Sequence, residues 1–101
     1  MAKLPIQLDH DRIEAFCRKW RIAELSLFGS VLREDFGPQS DVDFLVTFEP
    51  NDQWSLWDLV SMKLELESLL GRDVDLVEKA AIKNPYRRHE ILSTARLLYA
   101  A

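Results

Sequence analysis

The chain has 101 residues, which is enough for one compact domain, and we expect that single domain to span residues 1–101. Hydrophobic residues make up 48% of the chain, so a core can form and an intrinsically disordered protein is excluded. The formal net charge of −4 argues against tight, non-specific binding to nucleic acid, because such binding requires Lys and Arg in excess.

The cysteine count and the apolar runs indicate the cellular compartment of the protein. The single cysteine, Cys17, cannot form an internal disulfide and is consistent with a reducing environment. No apolar run approaches the length of a membrane span, and the first residues lack the apolar segment of a signal peptide. We therefore expect a cytoplasmic protein that does not enter a membrane.

The first predicted element is a helix that ends at about Trp20. Either Asp9 or Asp11 can cap its first turn, because both side chains can accept hydrogen bonds from free backbone N–H groups. Apolar residues recur behind this cap at the spacing of one helical face. They are Ile13, Phe16, Cys17 and Trp20.

The first predicted strand is Ile22–Phe28, and Gly29-Ser30 closes it. Gly29 allows the backbone to turn tightly and to come close to a ligand. Ser30 adds a hydroxyl and a backbone N–H at the start of a short helix that is predicted to run to about Glu34. Such a turn is a suitable place for phosphate oxygens.

The second predicted strand, Asp41–Phe48, begins with two carboxylates that are one residue apart. Residues two apart on a strand point to the same face, so Asp41 and Asp43 lie side by side. Adjacent carboxylates repel each other unless a cation lies between them, and Mg²⁺ is the simplest such cation. A phosphate site beside this pair indicates a nucleoside triphosphate whose phosphates also contact metal.

The next predicted helix begins at Asp52 or Ser55 and ends at Gly71. Ser55 and Asp58 have the spacing of a capping box, and a glycine is the usual residue just after a helix. The helix has a broad apolar stripe that we expect to be buried. Its members are Leu56, Leu59, Met62, Leu66, Leu69 and Leu70.

A third strand is predicted over Arg72–Val77, and a last helix begins at Asn84-Pro85. Asp73 and Asp75 share one face of the strand. If this strand lies beside the second one, Asp75 reaches the first carboxylate pair, whereas Asp73 stays at the mouth of the strand. The buried side of the last helix is predicted to consist of Ile91, Ala95 and Leu98, flanked by Leu92 and Tyr99.

Two groups of residues each allow two interpretations. Trp54 and Trp57 are predicted to pack in the core, with an exposed anchor for a partner protein as the alternative. The cluster Arg87-Arg88-His89 is predicted to be a solvated helix start, with contact to a triphosphate or to RNA as the alternative.

The predicted order is helix, strand, short helix, strand, helix, strand, helix. This alternation predicts an α/β (α+β) fold in which helices flank a small mixed β-sheet.

The segment GSVLREDFGPQSDVDFLV, which starts at Gly29, resembles the signature of minimal nucleotidyltransferases (MNT) in the DNA polymerase β nucleotidyltransferase superfamily. The shared pattern is Gly-Ser, ten residues, and then Asp-x-Asp. The later VDLV and NPYRRHEIL segments fit the family too. Arg33, Pro38 and Ser40 match residue types that are common at their places, whereas Val31 and Glu34 depart from the pattern.

The resemblance implies the polymerase β-like nucleotidyltransferase fold and a metal-dependent transfer of a nucleoside monophosphate, AMP from ATP, to a hydroxyl. It implies two bound Mg²⁺ ions, for which Mn²⁺ can substitute. The catalytic and metal-binding residues that it implies are Asp41, Asp43 and Asp75. The nucleotide-binding residues that it implies are Gly29, Ser30 and Arg33.

Proteins of this family are often paired with a HEPN-domain protein as a toxin–antitoxin system. The MNT antitoxin there transfers AMP to a tyrosine of the HEPN ribonuclease, which implies such a partner and a homo- or hetero-oligomer here. Two alternatives stay open: a non-catalytic nucleotide- or partner-binding module of the same fold, and a transferase for a small molecule or RNA. The acidic balance and the lack of a substrate domain make the last one the weakest.

Overall fold

The computed structural model describes residues 6, 8–32, 37, 40–50 and 54–101. In these ranges the helices are α1 (His10–Lys19), α2 (Leu56–Leu70) and α3 (Pro85–Thr94). The strands are β1 (Ile22–Phe28), β2 (Val42–Phe48), β3 (Val74–Glu78) and β4 (Arg96–Ala100), and two 3₁₀ turns are Gly29–Leu32 and Lys79–Ala81. None of the helices in these ranges is both long enough and apolar enough to cross a membrane.

The four strands form one mixed sheet in the order β3-β2-β1-β4. β1 is antiparallel to β2 and to β4, whereas β2 and β3 are parallel and are connected through α2. Parallel neighbours begin at the same edge of a sheet. The start of β2 therefore lies beside the start of β3, with Val42 opposite Val74 and Asp43 opposite Asp75.

The two faces of this sheet are covered differently. On one face, α1 and α2 pack against the strands and form the main core, whose largest fully buried side chains include Phe44, Leu25 and Met62. On the other face, α3 packs over a small cluster made of Phe28, Leu45, Ile82 and Ile91. The second face is therefore only partly covered, and a cavity remains there.

The predicted starts of the three helices and the predicted end of α2 are confirmed by their capping contacts. The Asp9 carboxylate accepts hydrogen bonds from two backbone N–H groups of α1, at 3.1 and 3.3 Å. Ser55 and Asp58 form the complete capping box of α2, and Gly71 ends that helix in the left-handed region with φ +67°. Asn84 caps α3 ahead of a proline in the first turn.

The stripe predicted on α2 is buried or partly buried except at Leu56. Met62 and Leu66 are fully buried, but Leu56 is 73% exposed. At about 100° per residue, Leu56 lies roughly 120° around the helix from Met62, so it falls off the buried face. Trp57, Val60 and Leu64 follow on the outer side of α2 and are also exposed.

The prediction of a last helix through Leu98 is wrong. α3 ends at Thr94, Ala95 is extended with ψ 141°, and β4 follows. β4 pairs with β1, for example Leu25 with Tyr99. Without β4 the backbone polar groups along that side of β1 would lack ladder partners, so sheet pairing overrides the local helical spacing.

Trp54 and Trp57 lie in different environments. Trp54 packs edge-to-face against Trp20 at 5.3 Å between ring centroids, and against Phe48 at 6.4 Å. Trp57 is 79% exposed. Core packing is therefore correct for Trp54 and wrong for Trp57.

Candidate active site

The backbone of Gly29 lies very close to the side chain of Asp43. Gly29 follows β1 with φ +75°, and the residue before it, Phe28, pairs with Asp43 across the antiparallel β1–β2 ladder. A Cβ atom at Gly29 would overlap the Asp43 Oδ2 atom. Glycine meets both demands, since it tolerates positive φ and adds no side chain. The Gly-Ser turn thus lies directly against the carboxylate.

The three predicted carboxylates occupy neighbouring places at one edge of the sheet. Asp43 and Asp75 are opposite each other in the parallel β2–β3 register, and Asp41 lies one residue before β2. Asp43 is half-buried, while Asp41 and Asp75 are exposed. Their backbone positions agree with the prediction that β3 runs beside β2.

Oxygen donors of this kind suit Mg²⁺, which prefers carboxylates and water. Within the described ranges, however, no three His, Cys, Asp or Glu side chains lie close enough together to hold one metal ion. The residue types and their strand positions therefore fit the metal, whereas the present side-chain positions of Asp41, Asp43 and Asp75 do not form a complete ligand set.

Arg72 forms hydrogen bonds with the segment that precedes Asp41. Its guanidinium donates hydrogen bonds to the backbone carbonyls of Gly37 and Ser40, the latter at 3.0 Å. The Ser40 hydroxyl accepts from the Gly37 N–H at 3.2 Å, so Ser40 caps this turn. Sequence reasoning missed Arg72, because its partners lie more than thirty positions away.

A cavity of about 430 Å³ opens beside Asp43. One wall comes from the sheet edge and the other from α3, whose contributing residues recur at the spacing of one helical face. Its lining includes Phe28, Gly29, Asp43, Arg87, Glu90, Ile91 and Thr94.

The basic cluster at the start of α3 divides between two environments. Arg87 lines the cavity, whereas Arg88 donates from Nη1 to the Lys79 carbonyl at 3.0 Å. His89 is exposed. Arg87 is also exposed, so the prediction of a solvated helix start holds for it, and its position in the cavity keeps contact with a triphosphate open as the alternative.

The other two predicted nucleotide-binding residues are Ser30 and Arg33. Ser30 belongs to the 3₁₀ turn Gly29–Leu32, as its predicted place after the strand requires. Arg33 lies outside the described residues. Val31, one of the two departures from the family pattern, is a buried core residue.

Comparison of the sequence with known proteins identifies its relatives. The model of a family described as nucleotidyltransferase domain matches residues 12–98. A Methanocaldococcus jannaschii protein provisionally named protein adenylyltransferase is 36% identical over 73 residues, which cover 72% of this chain and 73% of that protein. Protein adenylyltransferase MntA of Thermococcus cleftensis is 39% identical over 66 residues, or 65% of each chain.

Solved structures give the same fold. A protein provisionally described as a minimal nucleotidyltransferase, at 34% identity, has a TM-score of 0.69 and a match that covers 85% of each chain. A toxin–antitoxin crystallised with AMP-PNP has a TM-score of 0.73 at 22% identity, covering 93% of this chain and 75% of that one. A Shewanella oneidensis complex of a tri-AMPylated HEPN toxin with its MNT antitoxin has a TM-score of 0.65 at 20% identity, covering 91% and 70%. The last two likenesses concern the fold alone.

The residues matched by the family model include the Gly29-Ser30 turn and the Asp41-x-Asp43 pair. They also include strands β1 to β3 and the first part of β4. The predictions of a nucleotidyltransferase enzyme and of a small mixed sheet flanked by helices are both confirmed. The chain belongs to the nucleotidyltransferase domain family.

Proposed function

We propose that this chain transfers AMP from ATP to a tyrosine hydroxyl of a HEPN-type toxin partner and thereby acts as an antitoxin. The observation that carries the proposal is the Gly29 turn packed against Asp43 at the mouth of a cavity. The names of the relatives support adenylyl transfer to protein. The Shewanella complex, in which an MNT antitoxin meets an AMPylated HEPN toxin, supports the kind of acceptor.

The nucleotide would bind with its phosphates at the Gly29–Ser30 turn. Gly29 has no side chain, so phosphate oxygens can reach the backbone there. Ser30 would donate its hydroxyl, and Arg33 would pair with a phosphate oxygen. The cavity of about 430 Å³ is within the usual size range of small-molecule sites.

The carboxylates would hold the metal ions that the family uses. Asp41, Asp43 and Asp75 are the proposed ligands of two Mg²⁺ or Mn²⁺ ions. Bound ions of this type neutralise phosphate charge and lower the pKa of an attacking hydroxyl. Asp75 is exposed, so its side chain can turn towards Asp43 on the fast timescale of surface rotamers.

In the proposed reaction, the tyrosine oxygen attacks the α-phosphorus of ATP in line with the leaving group. A bond forms between that oxygen and the α-phosphorus, and the bond from the α-phosphorus to the bridging oxygen breaks, releasing pyrophosphate. Asp75 is the proposed acceptor of the tyrosine proton. We assign this reaction to the cytoplasm, where a free thiol such as that of Cys17 stays reduced.

The test uses ATP labelled at the α- or the γ-phosphate, with Mg²⁺ and a HEPN-domain protein as the acceptor. We expect label on a tyrosine of the partner from α-labelled ATP alone. Asp43→Asn should lower the transfer rate by about a thousandfold or more, since a metal ligand and its charge are lost. Asp11→Asn, the same chemical change on exposed α1, is the matched control.

Normal transfer by Asp43→Asn would overturn the assignment of the site. If neither the wild type nor Asp43→Asn transfers label, and both still neutralise the toxin in cells, the chain is a non-catalytic binding module instead.

A further inference from the structure

We infer that Arg87 is a further nucleotide-binding residue, whose guanidinium pairs with the phosphates of ATP across the cavity from Asp43. The inference rests on the proposed function, because it requires a nucleoside triphosphate in this cavity. Arg87 lines the same cavity as Gly29 and Asp43, but it comes from the opposite wall, on α3.

The periodicity of α3 selects Arg87 from its basic neighbours. The residues of α3 that line the cavity are Arg87, Glu90, Ile91 and Thr94, which recur at i, i+3, i+4 and i+7. Arg88 lies outside this set, and its side chain is engaged with the Lys79 carbonyl. Of these two adjacent arginines, one is therefore a structural residue and the other faces the cavity.

Helix stability does not account for Arg87. It is in the first turn of α3, where the positive end of the helix dipole makes a cation unfavourable, and that turn contains no acidic residue. Among the described residues, the Arg87 side chain takes part in none of the hydrogen bonds or ion pairs that the structure shows, although its backbone N–H donates to the Asn84 cap. An anionic ligand in the cavity would offset this unfavourable interaction with the helix dipole.

Among the described residues that line the cavity, Arg87 is the single cation. The described lining contains two carboxylates, Asp43 and Glu90, and the guanidinium of Arg87. A triphosphate carries several negative charges, so it needs positive partners in such a site. The planar fork of a guanidinium donates two parallel hydrogen bonds to phosphate oxygens, which makes arginine suited to this role.

The test is calorimetric titration of ATP with Mg²⁺ into the wild type, Arg87→Gln, Arg87→Lys and Arg88→Gln. A charge-assisted pair of this type is worth about tenfold or more in affinity, so Arg87→Gln should raise the Kd for ATP by that factor. Arg87→Lys should keep part of the affinity, because it retains the charge without the fork. Arg88→Gln is the matched control and should bind ATP like the wild type.

A thermal melt of the same proteins separates binding from folding. Arg88→Gln should lower the Tm, because its hydrogen bond to Lys79 is lost, whereas Arg87→Gln should not lower it. Inorganic tripolyphosphate, which offers only phosphates, should bind the wild type in a direct titration, and its Kd should be about tenfold higher for Arg87→Gln.

The possible failures are distinct. Unchanged ATP affinity in Arg87→Gln, with clear binding to the wild type, would overturn the inference and leave the proposed function standing. Absence of Mg²⁺–ATP binding to the wild type, with or without the HEPN partner, would overturn both.

Discussion

The two faces of the sheet differ in what their residues do. β2 carries this difference along one strand, because Phe44 points into the main core while its neighbour Asp43 points into the cavity under α3. The face under α1 and α2 is closely packed, and the face under α3 holds a small apolar cluster and charged residues. The two-residue period of the strand therefore places the side chains of the main core and those of the proposed site on opposite faces.

The largest expected effect on stability comes from the packed face. Phe44→Ala removes a fully buried ring and should cost about 3–5 kcal/mol in the free energy of unfolding, measured by urea denaturation. Phe44→Leu, which fills most of the space, should cost less. Asp43→Asn, one residue away, should leave the urea midpoint nearly unchanged. A loss of stability in Asp43→Asn as large as that in Phe44→Ala would contradict the separation of the faces.

Two glycines provide a smaller and sharper comparison. Gly29 and Gly71 both have positive φ, but a Cβ at Gly71 meets nothing within 4 Å, whereas at Gly29 it overlaps Asp43. Gly71→Ala should therefore lower the free energy of unfolding by the conformational penalty alone, about 1–2 kcal/mol, and should leave ATP affinity unchanged. Gly29→Ala should cost more and should also weaken ATP binding, as shown by urea denaturation and calorimetry. Equal losses in the two variants would show that Gly29 is needed for its backbone conformation alone.

The expected effect that is smallest at neutral pH concerns Cys17, on the packed face. Burial, with a further contribution from the Glu14 carboxylate, raises the pKa of this thiol from 9.0 to about 12. The unfolded chain ionises its thiol at lower pH, so this contribution to stability is complete below pH 9 and declines as pH rises from 9 towards 12. A thiol reagent at pH 8 should react slowly with the folded protein and quickly in urea.

Fast labelling of the folded protein would mean that α1 opens readily from the core. The variant Cys17→Ala should show a weaker decline of stability above pH 9 than the wild type does.

Local signals predicted much of the fold, and long-range contacts explain what they missed. The caps at Asp9 and Ser55 involve residues a few positions apart, so the sequence pattern contains them. β4 forms because β1 requires a partner, and no pattern within the last residues reveals that requirement. Arg72 and Arg87 likewise acquire their surroundings from distant segments, a turn before β2 and a cavity under α3.

The placement of the three tryptophans gives the protein its own optical probes. Trp20 and Trp54 lie edge-to-face and pack against the core, partly buried, so their near-ultraviolet dichroism reports the tertiary packing there. Trp57 faces solvent on the outer side of α2, so its fluorescence should respond when another protein covers that side. One unlabelled sample can therefore report the loss of the core through dichroism and the burial of α2 through emission.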